Sequence, residues 1–77
     1  MTLNIDKIRG RRNELHMTQQ QLADKVGMNR DQYAKREKGK VSIGADELGA
    51  IATALGVSDI RFFFEETFPN ENKSTKG

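Results

Sequence analysis

Apolar residues recur along this chain at the spacing of helices. Between residues 18 and 26, Leu22, Ala23 and Val26 occupy positions i, i+1 and i+4, which form one face of a helix of about two turns. A later stretch has the same kind of face, made of Leu48, Ile51, Ala52 and Leu55. No run of alternating β-branched residues indicates a strand. The pattern predicts an all-α protein.

Capping residues and glycines predict where the helices begin and end. Thr18 and Asn29 are each followed three residues later by a glutamine, which is the capping-box spacing of a helix start. Gly27 lies between them and can adopt the left-handed conformation that ends a helix. Two short helices joined by such a turn form a helix-turn-helix. The five helices expected from these signals cover residues 5–15, 18–26, 30–38, 45–55 and 58–66, the last capped by Ser58.

The predicted helices fit one compact domain over residues 1–68. Pro69 ends regular structure, and residues 69–77 are expected to form a disordered tail because they are polar and lack apolar side chains. Gly10, in the middle of the first helix, costs about 1 kcal/mol relative to alanine or marks the close approach of another helix.

The stretch from Thr18 to Lys40 resembles the helix-turn-helix of lambda-repressor-like and Cro-like regulators of the xenobiotic-response-element type. This family also includes restriction–modification controllers and many antitoxins. The resemblance covers roughly residues 5 to 64 and implies a five-helix domain whose second and third helices bind DNA. The matching positions are Thr18-Gln19, Leu22-Ala23, the turn Val26-Gly27-Met28-Asn29, Glu37 with Gly39, Ile51-Ala52 and Ala54-Leu55-Gly56-Val57-Ser58.

Charge is distributed unevenly along the chain. Residues 1–44 contain ten Lys and Arg against five Asp and Glu, whereas residues 45–77 contain three against six. The excess of positive charge lies in the half that carries the helix-turn-helix. Such a basic half is expected of a nucleic-acid binder, and the alternative is an ordinary solvated surface.

Several classes of function find no support in the composition. The chain has no cysteine, so it predicts neither disulfides nor a thiolate metal site, and His16, the single histidine, has no second ligand at metal spacing. No catalytic set or glycine-rich phosphate loop is present. We therefore expect a cytoplasmic protein, associated with the nucleoid, that is not an enzyme. We also expect no cofactor, small-molecule ligand or membrane span.

Three residues of the third predicted helix are candidates for reading bases. Arg30, Asp31 and Lys35 share one face of that helix, and the resemblance places them at the base-reading positions of the repressors. An arginine can donate two hydrogen bonds to guanine, and an aspartate can accept one from cytosine. The alternative is an exposed ion pair between Asp31 and Lys35, which are four residues apart.

Four residues around the same motif are candidates for binding the DNA backbone. Gln19 begins the second helix, where backbone N–H groups and its side-chain amide would face a phosphate strand. Asn29, Lys38 and Lys40 bracket the third helix. Helix capping by Asn29 is compatible with this role, and for the lysines solvated charge is the alternative.

Two arginines interrupt apolar positions. Arg12 lies between Ile8 and Leu15 in the first helix, and the resemblance implies that it forms a buried ion pair with Glu37. The alternative is that Arg12 and Glu37 are two unrelated surface charges. Arg36 occupies a position at which the family commonly has a large apolar residue, so it is expected to cover the edge of the core or to pair with Glu14 or another acid. The family more often has a serine cap where this chain has Gly44, which predicts a weaker start to the fourth helix.

The fifth predicted helix is a candidate dimer interface. At 100° per residue, Phe62 and Phe63 face the core while Ile60, Phe64 and Phe68 share an outward face. A two-fold dimer would bury that face and place two recognition helices about 34 Å apart on a pseudo-palindromic operator. In the alternative, Phe68 folds back over the core of its own chain.

Two functional hypotheses follow. The first is a dimeric, sequence-specific DNA-binding repressor or controller of phage or bacterial type, acting on double-stranded DNA. The second is a protein-interaction module, such as an antitoxin or adaptor, that retains the same fold. The basic residues of the third helix favour the first.

Overall fold

The computed structural model describes residues 2–65, and the fold of this part is helical. Its helices are α1 (Ile5–Glu14), α2 (Gln19–Val26), α3 (Arg30–Glu37) and α4 (Ala45–Ala54). A short 3-10 turn, Ile60–Phe63, follows α4. Two short strands, β1 (Thr2–Leu3) and β2 (Phe64–Glu65), pair antiparallel at the two ends of the described chain. The predicted helical class and the helix-turn-helix at the second and third helices are confirmed.

One core is shared by all four helices and the 3-10 turn. Leu22 and Ala23 of α2 pack against α3 and α4, as their predicted face requires. The fully buried large side chains at the centre are Tyr33, Phe63, Ile8, Leu22, Ile51 and Leu55. The apolar face predicted for α4 is therefore the buried one.

The prediction of a fifth α-helix is wrong. The only helical structure after α4 in the described residues is the 3-10 turn, whose start Asp59 caps by accepting a hydrogen bond from the Arg61 backbone N–H at 2.9 Å. Phe64 then takes an extended backbone conformation and lies opposite Leu3 in the sheet. The Asn4 N–H also donates to the Phe63 carbonyl at 2.7 Å. Backbone groups at the start of the chain thus stabilise an extended ending to this segment.

Because this segment is a 3-10 turn and a strand, the aromatic side chains that are buried differ from those predicted for an α-helix. Phe63 is buried as predicted, but Phe62, which was also predicted to face the core, is half exposed. A strand alternates its faces at every residue, and a 3-10 turn advances 120° per residue, so the helical face calculated from the sequence does not exist.

Two expectations about glycines have different outcomes. Gly44 begins α4 without a side-chain cap, as its lack of a side chain predicts. Gly10 has no neighbouring atom within 4 Å of the place where a Cβ would stand, so it does not mark a close helix approach.

None of the helices within residues 2–65 is both long and apolar enough to cross a bilayer. Phe68 and the predicted tail over 69–77 lie outside the described residues.

Candidate nucleic-acid interface

Two capping boxes build the helix-turn-helix. Thr18 Oγ1 accepts from the Gln21 N–H at 3.0 Å, and Gln21 Oε1 accepts from the Thr18 N–H at 2.8 Å. Asn29 and Gln32 exchange the same pair of hydrogen bonds at the start of α3, at 2.8 and 3.0 Å. Gly27, at φ 77°, ends α2 in the left-handed conformation. Both predicted boxes and the predicted glycine turn are confirmed.

The exposed face of α3 carries the three candidate base-reading residues. Arg30, Asp31 and Lys35 are all exposed, so each is accessible to a ligand lying along the helix. Lys35 Nζ lies 3.7 Å from Asp31 Oδ2, with both side chains more than half exposed. Arg30 has no ion pair within residues 2–65. The structure therefore brings Asp31 and Lys35 together as the weak surface pair of the alternative interpretation and leaves Arg30 exposed in the first turn of α3.

The candidate backbone-binding residues divide into two kinds. Asn29, Lys38 and Lys40 are exposed at the two ends of α3. The backbone N–H groups of both lysines close the end of the helix, with Lys38 N 3.1 Å from Ala34 O and Lys40 N 2.9 Å from Lys35 O. Gln19 differs, because its amide Nε2 donates to the buried Glu37 Oε1 at 3.0 Å. One N–H of the Gln19 amide thus points into the protein.

Glu37 is the buried centre that joins three helices. Its side chain is 4% exposed, and a carboxylate so buried requires hydrogen bonds to nearly every lone pair. Arg12 of α1 supplies two, from Nε to Oε2 at 2.9 Å and from Nη2 to Oε1 at 3.2 Å. Tyr33 Oη donates to Oε2, and Gln19 donates to Oε1. Arg12 and Glu37 are therefore together in the structure, with α2 tied to the same carboxylate.

The ionisation of this cluster favours a charged Glu37. Burial alone would raise the pKa of Glu37, but the hydrogen bonds from Arg12, Tyr33 and Gln19 outweigh it and hold the pKa below its usual range. Burial, together with the hydrogen bond to that carboxylate, raises the pKa of Tyr33. The cluster consequently holds a carboxylate, a guanidinium and a neutral phenol at neutral pH.

Arg36 pairs with an acid that sequence reasoning did not identify. Its guanidinium donates to both carboxylate oxygens of Glu47, from Nε to Oε1 at 2.9 Å and from Nη2 to Oε2 at 3.0 Å. A partner acid was expected for Arg36, with Glu14 as the named candidate; Glu14 instead contacts Arg11. The spacing between Gly44 and Glu47 is that of a capping box, and this spacing was the available signal that Glu47 would fold back over the start of α4.

Ile60 and Phe64, two of the residues predicted to form the dimer interface, do not share a helical face, and the third, Phe68, lies outside the described residues. Ile60 is exposed in the 3-10 turn, whereas Phe64 lies in β2 and packs against the core. Phe62 is the other large exposed apolar side chain of the turn, and Lys7 Nζ lies 5.8 Å from the centre of its ring. The helical face that motivated the prediction is thus absent from the described residues, in which Ile60 and Phe62 are the exposed large apolar side chains of the 3-10 turn.

Known proteins provide a comparison for this arrangement. A family model described as helix-turn-helix matches residues 8–62. Over 60 residues, or 78% of this chain, the sequence is 40% identical to an uncharacterized HTH-type transcriptional regulator of Sinorhizobium medicae (strain WSM419). It is equally similar to one of Rhizobium meliloti (strain 1021). The chain spans 42% of the length of each of these curated relatives. No solved structure matches it.

Proposed function

This chain belongs to the helix-turn-helix family, and we propose from that premise that it binds double-stranded DNA sequence-specifically as a transcriptional regulator. The observation that carries the proposal is the exposed face of α3 with Arg30 and Lys35, on a helix that starts with a capping box and ends at the buried Arg12–Glu37 ion pair. Its curated relatives are named HTH-type transcriptional regulators, which supports the same role.

In the proposed complex, α3 lies in the major groove with its first turn at the base edges. Arg30 donates to guanine O6 and N7, because its exposed guanidinium has no competing acid within residues 2–65. Asp31 accepts from cytosine N4, and Lys35 binds guanine or a phosphate. Their mutual contact at 3.7 Å is weak enough to exchange for contacts with DNA.

Phosphate contacts orient the domain on the duplex. Lys38 and Lys40 bind the backbone beyond the end of α3, and Asn29 does so at its start. Gln19 contributes through the N–H groups at the start of α2, and through the amide hydrogen that Glu37 does not take. These contacts carry affinity but no sequence preference.

The regulator is proposed to act as a homodimer on a pseudo-palindromic operator, in the role of a repressor or controller in the bacterial cytoplasm. A single domain with one short reading helix contacts too few base pairs for high specificity, and a two-fold dimer doubles that number. Ile60 remains a candidate for the interface, and Phe62 is a second exposed large apolar side chain of the same 3-10 turn.

The second candidate function is that of an antitoxin or adaptor that binds another protein. The exposure of Ile60 at 45% and of Phe62 at 50% favours it, because large apolar side chains on a small domain commonly mark a protein interface. The two functions are compatible if that surface and α3 bind different partners.

Selection of duplexes from a random-sequence pool, read by gel shift, tests the proposal. We expect recovery of a two-fold related sequence and an affinity that falls with salt by about 0.9 log units per phosphate contact and log unit of salt. Arg30→Ala should relax the preference at one position per half-site and cost about 1–3 kcal/mol, whereas Lys40→Ala should weaken all duplexes alike. A pool that shows no enrichment, or an Arg30→Ala protein with the parent's affinity and preference, would contradict the proposal.

A further inference from the structure

Arg36 is anchored at three points although it lies in the basic last turn of α3. Besides its two bonds to Glu47, Nη1 donates to the Gln32 carbonyl at 2.9 Å. Its side chain is 17% exposed, so most of its length lies against the protein. A guanidinium that meets both oxygens of one carboxylate is held in orientation as well as position. Arg36 is thus directed towards α4 and away from a ligand lying along α3.

Glu47, the partner of Arg36, also bonds to the backbone at the start of α4. Its Oε1 accepts the Gly44 N–H at 3.0 Å in addition to Arg36 Nε. Because Gly44 has no side chain with which to cap α4, this bond is the side-chain contribution to fixing the start of that helix. The hydrogen bonds from Arg36 and from the Gly44 N–H also lower the pKa of Glu47, so the carboxylate is ionised at neutral pH. One carboxylate therefore joins the last turn of α3 to Gly44, the residue that precedes α4.

The segment between these anchors, residues 38–44, carries both lysines assigned to the DNA backbone. Its first part is fixed by bonds to the end of α3, from Lys40 N and Val41 N to Lys35 O at 2.9 and 3.4 Å. Its far end is fixed by the bond from Gly44 to Glu47. Lys38, which caps the end of α3, and Lys40, whose N–H bonds to Lys35, are exposed at the start of this segment, so the direction of their side chains depends on how the segment leaves α3.

We propose that the Arg36–Glu47 pair is a positioning device for DNA binding, which holds the loop of residues 38–44 so that Lys38 and Lys40 meet the phosphate backbone. This inference rests on the proposed function and deepens it by naming residues that act on affinity without touching DNA. Glu47 is the more informative member, because it is an acid whose removal is predicted to weaken binding to a polyanion.

Considered only as a charge, Glu47 should weaken DNA binding, so its removal would be expected to raise the affinity for DNA. Removing a negative charge from a DNA-binding domain raises its attraction to phosphates, and it would also release Arg36 to bind them. Asp46 provides the matched control, since it is the neighbouring acid in the same first turn of α4 and is exposed, with no ion pair within residues 2–65. Glu47→Gln and Asp46→Asn change the net charge identically, and only the first removes an oxygen that accepts from Arg36.

The test measures binding of the selected duplex by the parent, Glu47→Gln and Asp46→Asn proteins across a salt series. We expect Glu47→Gln to bind all duplexes more weakly, with a slope of log K against log salt that is shallower by about 0.9 for each lysine that no longer binds a phosphate. Base preference should stay that of the parent, and Asp46→Asn should keep the parent's slope. A Glu47→Gln protein that binds as tightly as Asp46→Asn, or more tightly, would overturn the inference.

A double-mutant cycle separates positioning from a general loss of stability. In a protein that carries Lys38→Gln and Lys40→Gln, adding Glu47→Gln should change neither affinity nor slope, because the residues it positions are absent. A further loss of affinity in that background would overturn the inference. Circular dichroism at the assay temperature ensures that all variants compared are folded.

Amide hydrogen exchange of the protein without DNA gives a readout that does not depend on binding. Exchange at Gly44 and at Lys40 should accelerate in Glu47→Ala, which removes the acceptor of the Gly44 N–H as well as the partner of Arg36, while amides of α1 and α2 keep the parent's rates. Unchanged exchange at both loop positions would overturn the positioning role even if DNA binding is strong. A parent protein that selects no duplex would instead overturn the proposed function and, with it, the inference.

Discussion

The helix-turn-helix segment, residues 18–37, and the closing segment, residues 57–65, obtain their structure in different ways. In the first, each helix starts with a pair of hydrogen bonds between residues only three apart, at Thr18 with Gln21 and at Asn29 with Gln32. In the second, Phe63 and Phe64 bond to Asn4 and β1 at the opposite end of the described chain. Local signals in the sequence therefore sufficed for the first segment and misled for the second.

The two segments also differ in what they contribute to the core. The closing segment contributes one fully buried aromatic ring, Phe63. The helix-turn-helix contributes apolar side chains and a buried charge, Glu37, on which α1, α2 and α3 converge. We therefore expect the first segment to be sensitive to charge and the second to side-chain volume, and the following changes test this difference.

The largest effect is expected for Glu37→Gln. Arg12, whose side chain is 11% exposed, would lose its counter-charge, and breaking a buried pair from one side costs about 3–5 kcal/mol. Thermal and urea denaturation measure the loss. Asp31→Asn is the control on the same helix, because it breaks an exposed pair and should cost less than about 1 kcal/mol. Equal costs for the two variants would show that the Glu37 cluster contributes nothing beyond a surface pair.

Phe63→Ala should destabilise the closing segment almost as strongly. Truncating a fully buried phenylalanine costs about 3–5 kcal/mol, from lost burial and from the cavity that remains. Phe62→Ala, one residue earlier and half exposed, should change the free energy of unfolding by under about 1 kcal/mol. Similar costs at the two positions, measured by urea denaturation, would return support to the helical geometry in which both rings face the core.

Acid should weaken the helix-turn-helix through Glu37. Because the folded protein holds the pKa of Glu37 below that of the unfolded chain, the unfolded state binds more protons as the pH falls below about 4.3. The stabilisation is thus present above that pH and is lost as the pH falls through the folded pKa. Glu47 and Asp59 also have lowered pKa values, so the measurement is the difference between the parent and Glu37→Gln from pH 7 to pH 3. A gap between the two stability curves that stays constant with pH would contradict the assignment.

The smallest effect is expected for the caps. Asn29→Ala removes the acceptor for the Gln32 N–H at the start of α3 and should cost about 1 kcal/mol. Asn29→Ser retains an acceptor and should recover most of the loss. Urea denaturation of both variants measures the free energy of unfolding. An Asn29→Ala protein as stable as the parent would mean that the capping box does not stabilise α3.

The sequence by itself determined the elements whose partners lie within about one helical turn. Both capping boxes, the left-handed Gly27 and the apolar face of α4 follow from spacing alone, because hydrogen bonds and helical faces repeat over three or four residues. The resemblance added the Arg12–Glu37 pair, which local spacing does not reveal. The fifth helix, which Ser58 as a cap and the resemblance both predicted, is replaced in the structure by a 3-10 turn and a strand.

Only the tertiary structure decided the contacts between residues distant in the chain. Competing backbone partners on β1, rather than the helical preference of residues 58–66, determined that Phe64 is extended. Likewise, Gln19 donates to Glu37, and Arg36 pairs with Glu47 rather than with Glu14, because folding brings those carboxylates within hydrogen-bonding distance. The amide of Gln19 and the guanidinium of Arg36 each carry several N–H donors, which could bond to acceptors in many directions. The packing of α1 and α4 against α2 and α3 determines which acceptors lie within reach.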